Sequence, residues 1–350
     1  MHALLTTAIV QAPNRRTTPD ILKPANHDRL AKDDATYALA WTVPVGPPAA
    51  QLAVAVVAPG DYNFIRSIQE RPSGPNKVRM YPVSTWTIPQ VKPDPLRPAK
   101  GTILILHGYQ DAKEEMMHWA LFLAQGGYRA VLVDLRGHGR SSGPWIGYGA
   151  FEVSDLRQVI DDLTRRGLAS GPIGVLGVSY GASIGLQLAA ADPRVGAVVA
   201  LEPYADTRQG IEEFAHGVVP SLVKDWTEAD FSTALDRAAK QAHFSWQDTD
   251  VYAAVAHRAV PTLYFHGQND PWIPTRESQR LNDHTQGPHA IGYLDFSTGN
   301  PHVMLSWILD PIDVAALRWF DLALLEPGPG LRAKLAGFIK TAAPGPALKP

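Results

Sequence analysis

From residue 101 onwards, short apolar segments alternate with segments of helical spacing. TILILHG (102–108), RAVLVDLRG (129–137) and PIGVLGVS (172–179) are rich in branched residues, which is typical of strands buried on both faces. EEMMHWALFLAQGGY (114–128) and FEVSDLRQVIDDLTRRG (151–167) have the spacing of helices. This alternation predicts an α/β protein with a mostly parallel, doubly wound sheet. Because ligands bind at the carboxyl ends of the strands in such folds, site residues are expected there.

The series continues after residue 180 and is interrupted once. GASIGLQLAAADP (181–193) is a predicted helix, and VGAVVALEPY (195–204), PTLYFHG (261–267) and AIGYLDF (290–296) are predicted strands. Residues 205–260 have a helical pattern and carry several aromatic side chains, which suggests a cap inserted over the strand ends.

The length of 350 residues is compatible with one large α/β domain carrying insertions, or with two smaller domains. QLAVAVVA (51–58) fits either a strand or a short helix. The predicted organisation is an N-terminal extension with the first strands of the sheet at 1–100, core at 101–204, a helical cap at 205–260, core again at 261–325, and a peripheral tail at 326–350.

Composition argues against several classes of protein. The chain has 32 Lys and Arg against 34 Asp and Glu, without a basic block, so nucleic acid and anionic membranes are not expected partners. A small, roughly neutral molecule fits this balance better. The absence of cysteine removes disulfides, thiolate catalysis and cysteine metal sites. The apolar run from Leu4 to Val10 lacks a preceding basic region and contains threonines, so a cytoplasmic location is expected.

The pattern G-x-S-x-G occurs twice, as GRSSG (139–143) and GVSYG (177–181). A nucleophile elbow needs an entering strand, a leaving helix, and small residues around a strained serine. IGVLGV runs directly into Ser179, and a proline-free helical segment follows. Ser141 has loop on both sides. The sequence therefore predicts Ser179 as a nucleophile and places Ser141 in a tight turn.

A nucleophilic serine needs a histidine base and an orienting carboxylate, which follow it in this chain order at an elbow. Asp270 lies in the loop after PTLYFHG, and His302 lies in the loop after AIGYLDF, just before a helix. These positions favour His302 as the base and Asp270 as the acid. Glu202, at the end of VGAVVALEP, is an alternative acid.

Two backbone amides are required for an oxyanion hole. The residue after the nucleophile, Tyr180, and the residue after the His107-Gly108 turn, Tyr109, are the expected donors. Aromatic residues near the strand ends and in the cap suggest a hydrophobic substrate pocket; the candidates are Trp145, Tyr148 and Trp226.

Four pieces in order, LILHGY, VDLRGHGRSSG, GVSYG, and QND followed by NPH, resemble the α/β-hydrolase superfamily over about residues 100–325. The resemblance implies a Ser179–Asp270–His302 triad that acts through an acyl-enzyme, with no metal or organic cofactor. One departure is Pro301, where the family usually has glycine before the histidine.

Fold membership does not name a substrate. A carboxylic ester hydrolase is the first expectation, and a thioesterase, peptidase, amidase, acyltransferase or cofactor-free haloperoxidase would use the same triad. A ligand-binding protein on the same fold is the alternative from a different class.

Overall fold

The structure is a computed structural model of the chain. It describes residues 2–74, 77–169, 171–296, 300–307, 312–328, 330–331 and 333–334. The strands in this part of the chain are β1 (Leu39–Val45), β2 (Ala50–Val57), β3 (Ile65–Gly74), β4 (Lys77–Thr85), β5 (Thr102–Leu106), β6 (Arg129–Val133), β7 (Ile173–Val178), β8 (Val195–Leu201), β9 (Thr262–Gly267) and β10 (His289–Leu294).

Eight strands form one sheet in the order β1-β2-β6-β5-β7-β8-β9-β10. β2 pairs antiparallel with both β1 and β6, and the remaining neighbours pair parallel. The predicted mostly parallel sheet is therefore confirmed, and QLAVAVVA forms a strand. β3 and β4 form a separate antiparallel hairpin.

The helices in the described residues are α1 (His2–Val10), α2 (His27–Thr36), α3 (Met117–Gln125), α4 (Glu152–Arg165), α5 (Tyr180–Ala191), α6 (Thr207–Val218), α7 (Pro220–Val223), α8 (Glu228–Ala242), α9 (Val251–His257), α10 (Thr275–His284), α11 (Pro301–Trp307) and α12 (Ile312–Phe320). None of them combines the length and the hydropathy that crossing a bilayer requires.

Two hydrophobic cores cover the two faces of the sheet. Leu104 and Leu106 point into the core formed with α4 and α5, whereas Ile103 and Ile105 point into the core formed with α3 and α12. This alternation follows from the two-residue period of a strand, and it explains why the central strands carry apolar residues on both faces.

Four helices, α6 to α9, lie between β8 and β9, where the cap was expected. α8 begins with a capping box in which Thr227 and Asp230 exchange hydrogen bonds between side chain and backbone. The exact limits of a cap unit, 205–260, stay a prediction, as do the other domain limits. The expected peripheral tail lies outside the described residues from 335 onwards.

Residues 6–16, called here the N-terminal strap, lie along the loop that follows β6. The Val10 carbonyl accepts a hydrogen bond from the Ile146 amide at 2.9 Å, and the Ala12 amide donates to the Pro144 carbonyl at 3.1 Å. The Asn14 amide donates to the Gly137 carbonyl at 3.0 Å. These backbone hydrogen bonds dock the strap on the loop that contains GRSSG.

Ser141 is part of this loop and has a structural role. Its buried Oγ donates to the Asp134 carbonyl at 2.7 Å and accepts from the Ala53 amide at 2.8 Å. The hydroxyl thus joins β2 to the segment after β6, as expected for a serine in a tight turn.

Ser141→Ala should lower the free energy of unfolding by about 1–3 kcal/mol, because it leaves a buried amide and a buried carbonyl without that partner. Ser142→Ala is the matched control, since the Ser142 Oγ accepts from the Gln51 amide in an exposed position. Its effect should stay within about 0.5 kcal/mol. Urea unfolding followed by circular dichroism measures both, and equal effects would contradict the structural role of Ser141.

Candidate active site

Ser179 lies on the sharp turn between β7 and α5. Its backbone has φ 50° and ψ −112°, a conformation that costs a non-glycine residue free energy. The Ser179 amide donates to the Leu201 carbonyl at 2.7 Å, and the Ser183 amide donates to the Ser179 carbonyl at 3.0 Å. The turn is therefore fixed to β8 on one side and to the first turn of α5 on the other.

The glycines around Ser179 are required by close packing. A Cβ on Gly177 would overlap the carbonyl oxygen of Gly181, and a Cβ on Gly181 would lie 2.6 Å from the carbonyl oxygens of Leu106 and His107. These neighbours are backbone atoms, which cannot move aside as a side chain can. The strand and the helix can meet at this angle only if both positions lack a side chain.

Asp270 and His302 come together at the ends of neighbouring strands. Asp270 follows β9, and His302 is the second residue of α11. His302 Nδ1 donates to Asp270 Oδ2 at 2.6 Å, and Asp270 Oδ1 accepts from the amides of Trp272 at 2.7 Å and Ile273 at 3.0 Å. Both side chains are buried.

The surroundings of Asp270 favour its charged form. Burial by itself would raise the pKa of this carboxyl, but hydrogen bonds from His266 and His302 and the Trp272 amide hold the pKa well below its usual value. Because the proton on His302 Nδ1 is hydrogen-bonded to Asp270, the other ring nitrogen, Nε2, carries no proton and can accept one. Ser179 and His302 line the same cleft, and among the described residues neither the Ser179 Oγ nor the His302 Nε2 makes a hydrogen bond.

The alternative acid, Glu202, reaches the same imidazole. It is the residue after β8, it is fully buried, and its Oε2 lies 3.6 Å from His302 Nδ1. That distance is too long for a hydrogen bond, whereas Asp270 makes one. The structure therefore brings both candidate acids to one nitrogen.

The two expected oxyanion donors flank the elbow. Tyr180 is the first residue of α5, and Tyr109 follows the turn after β5. In the part of the chain that is described, neither backbone amide donates a hydrogen bond to a protein group. Gln110 next to Tyr109 has φ 66°, so the chain turns sharply here. Both amides are thus available to a ligand.

An apolar cavity of about 310 Å³ reaches Ser179 from the cap side. Tyr148 and Trp226 line it, as predicted. Trp145 is not in its lining; the Trp145 backbone pairs with Gln11 of the strap, and its ring packs on the core. The cavity volume lies at the lower end of the range for ligand pockets.

Part of the cavity wall was missed by the sequence analysis. Ile9 and Arg16 of the strap line it, the Tyr148 hydroxyl donates to the Ile9 carbonyl at 2.6 Å, and Arg16 donates to the Tyr109 hydroxyl. No local pattern marks these residues, because their position depends on contacts with residues about 90 or more positions away.

Solved structures with the same architecture include an esterase and a hydrolase. The chain is similar to the esterase Pf2001 of Pyrococcus furiosus, with 16% identity, a TM-score of 0.55, and coverage of 83% of this chain and 95% of that one. It is also similar to the 2,6-dihydroxy-pseudo-oxynicotine hydrolase, with 17% identity, a TM-score of 0.54, and coverage of 86% and 73%. These likenesses confirm the predicted α/β-hydrolase fold.

The sequence also shows the family to which the chain belongs. The family model described as X-Pro dipeptidyl-peptidase (S15 family) matches residues 7–243, so the chain belongs to this family. The matched range contains Ser179 and ends before Asp270 and His302.

Two curated relatives match shorter parts of the chain. It is 29% identical to the protein YqkD of Bacillus subtilis over 199 residues, which are 55% of this chain and 62% of the relative. It is 25% identical to the 2,6-dihydropseudooxynicotine hydrolase of Paenarthrobacter nicotinovorans over 175 residues, or 48% and 44% of the two chains. The match thus spans less than two thirds of the length of either relative.

Gly181→Ala should destabilise the protein by about 1–3 kcal/mol or prevent its folding, because the new methyl group would overlap two backbone carbonyls. Gly60→Ala is the matched control, since its Cβ would find its nearest neighbour, a Tyr62 ring carbon, at an ordinary 3.5 Å. Thermal unfolding and the yield of soluble protein report both variants. A Gly181→Ala variant as stable as the control would contradict this account of the elbow.

Proposed function

We propose that the protein is a serine hydrolase of small carboxylic esters, with Ser179 as the nucleophile, His302 as the general base and Asp270 as the orienting acid. The proposal rests on the arrangement of three side chains. A strained serine and a histidine share one cleft, and the histidine donates its other ring proton to a buried, charged carboxylate. This arrangement supports a triad, because it supplies the oriented histidine and the acid that a nucleophilic serine in the same cleft requires.

The reaction proceeds in two halves. Ser179 Oγ attacks the ester carbonyl while its proton passes to His302 Nε2, and the negative charge on the former carbonyl oxygen is held by the amides of Tyr109 and Tyr180. His302 then gives this proton to the departing alcohol. In the second half His302 takes a proton from water, the hydroxyl attacks the acyl-enzyme, and the acid leaves as Ser179 recovers its proton. Asp270 keeps Nδ1 protonated throughout and stabilises the imidazolium.

The cavity supports an ester with a compact apolar group on one side. Its lining is mainly aliphatic and aromatic, and no Asp or Glu is among the described residues that line it. Arg16 contributes a positive charge at the same wall. A protonated amine bound in this cavity would therefore lose its hydration without finding an acidic partner.

A second candidate is the dipeptidyl peptidase activity for which the family is named. It requires a site for the free amino terminus of a peptide, and the cleft that contains Ser179 and His302 also contains Asp20, Asp111 and Glu115. Burial and the charge of Glu115 raise the pKa of Asp111 to about 7. Asp111 therefore carries its full negative charge only above neutral pH, and an ammonium group would find a weak partner there at lower pH.

A fluorophosphonate reagent should modify wild-type protein and Ser141→Ala at Ser179, and should leave Ser179→Ala unmodified, because only an activated serine reacts. Intact mass followed by peptide mapping locates the adduct. A folded wild-type protein that stays unmodified would contradict the hydrolase mechanism and favour the ligand-binding alternative. An adduct on Ser141 would show that the other G-x-S-x-G is the reactive one.

Wild-type protein should hydrolyse p-nitrophenyl esters with short acyl chains and should be less active on X-Pro p-nitroanilides. Trp226→Ala should raise the ratio of kcat/KM for long over short acyl chains by about tenfold, because it enlarges the cavity. Trp145→Ala is the control, since this tryptophan lies outside the cavity, and it should leave the ratio unchanged. Faster cleavage of the anilides than of any ester would favour the peptidase.

A further inference from the structure

The cavity beside Ser179 contains a positive charge that the proposed mechanism does not use. Among the described residues that line the cavity, Arg16 of the strap is the one charged side chain. Its guanidinium donates to the Tyr109 hydroxyl, and no carboxylate in the described part of the chain forms an ion pair with it. A guanidinium keeps its charge at any ordinary pH, so the cavity offers a permanent cation without an anionic partner.

A second polar group in the same cavity is also unused. Tyr204 lines the cavity and is buried, and its hydroxyl makes no hydrogen bond of normal geometry with a described residue. Ser183 lies near it, but the Ser183 Oγ already donates to the Tyr204 carbonyl at 3.1 Å and accepts from the Tyr204 amide at 3.0 Å. A buried hydroxyl without a partner costs free energy, which a ligand that accepts its hydrogen bond would recover.

Arg16 and Tyr204 both lie near the hydroxyl of Tyr148. Burial and the neighbouring Tyr109 and Tyr204 raise the pKa of Tyr148 well above its usual value, and the charge of Arg16 lowers it. The Tyr148 hydroxyl itself donates to the Ile9 carbonyl, which fixes the strap beside it. The unpaired cation and the unpaired hydroxyl therefore belong to one group of polar side chains in an otherwise mainly apolar cavity.

We propose that the substrate carries a carboxylate on the acyl group that occupies the cavity, and that Arg16 and the Tyr204 hydroxyl bind this carboxylate. The inference rests on the proposed function, because it takes Ser179 as the group that attacks the ester. The substrates are then monoesters of short dicarboxylic acids, whose methylene groups suit the apolar lining. Hydrolysis of such an ester consumes one water and yields an alcohol, a dicarboxylate and a proton.

The charges of the neighbouring cleft favour this orientation of the substrate. The cleft is lined by three acidic residues that the cavity lacks, Asp20, Asp111 and Glu115. A carboxylate is repelled by such groups and attracted by Arg16, so the charged end of the acyl chain enters the cavity. The neutral alcohol is left on the side of the cleft.

The test measures ligand binding to Ser179→Ala, which lacks the nucleophile, by isothermal titration calorimetry at low ionic strength. The ligands are the monomethyl esters of succinate, glutarate and adipate. Each is paired with the methyl ester of the matching monoamide, which has nearly the same shape and no charge. One monoester should bind about tenfold more tightly than its amide, because its carboxylate pairs with Arg16. The absence of such a preference in all three pairs would overturn the proposal.

Arg16→Gln, added to Ser179→Ala, should remove the preference by weakening the best monoester about tenfold and its amide little. Arg15→Gln is the matched control, because Arg15 is an exposed cation on the same strap that does not line the cavity. It should leave the preference intact. An equal loss in the two variants would indicate general attraction of anions, and an equal loss for monoester and amide would indicate a displaced strap. Either result would contradict the role of Arg16.

Tyr204→Phe tests the second donor. It should leave the melting temperature unchanged or raise it, because it removes a buried hydroxyl that has no partner. The same variant should bind the best monoester about fivefold more weakly, since the carboxylate loses one hydrogen bond. Unchanged affinity would remove Tyr204 from the proposed site.

Ester hydrolysis separates this inference from the proposed function. With Ser179 present, the best monoester should be hydrolysed with a kcat/KM about tenfold above that of its amide partner, and Arg16→Gln should abolish the difference. Fluorophosphonate modification of Ser179 without any preference for the carboxylate would retain the hydrolase and overturn the carboxylate site. A preference in binding without modification of Ser179 would reject the hydrolase and leave the carboxylate site standing.

Discussion

The backbone of Ser179 is the constraint on which the rest of the site depends. A residue with φ 50° between a strand and a helix is held there only if the helix can pack directly against the strand ends, which Gly177 and Gly181 allow. The strain is offset by the two hydrophobic cores that fix β7 and α5. Any change that separates the helix from the sheet would let the serine relax and would withdraw its hydroxyl from the cleft.

The same kind of strain recurs along the carboxyl edge of the sheet. Gln110, Ser179, Glu202 and Asn269 all have positive φ, and each follows one of four adjacent strands, β5, β7, β8 and β9, within a few residues. Tight turns of this kind aim side chains and amides into one cleft instead of leading the chain gradually away. The proposed catalytic groups therefore come from separate parts of the sequence and still converge, because parallel strands end at one edge.

This edge is also the part of the molecule that the sequence predicted best. Apolar runs and the residues after them placed Ser179, but not Ser141, between a strand and a helix, and the structure agrees because strand and helix signals are local. The sequence favoured Asp270 as the acid but left Glu202 open, since both residues follow neighbouring strands, and hydrogen-bond geometry distinguishes them. The strap and strand β3 were missed for a different reason. They are fixed by backbone pairing and distant contacts, which leave no periodic pattern in the side chains.

The N-terminal strap, which forms one wall of the cavity, has a local stability that differs from that of the sheet. It is attached by backbone hydrogen bonds to a loop more than 120 residues away and by a few side-chain hydrogen bonds, and it contributes no strand to the sheet. Detaching it breaks far fewer contacts than unfolding the sheet does, so it belongs to the low-energy end of the local opening reactions of the molecule. Detachment of the strap would open this wall of the cavity, whereas the backbone hydrogen bonds that fix the turn at Ser179 come from β8 and α5. The wall that limits ligand size and the strained turn therefore belong to different parts of the chain.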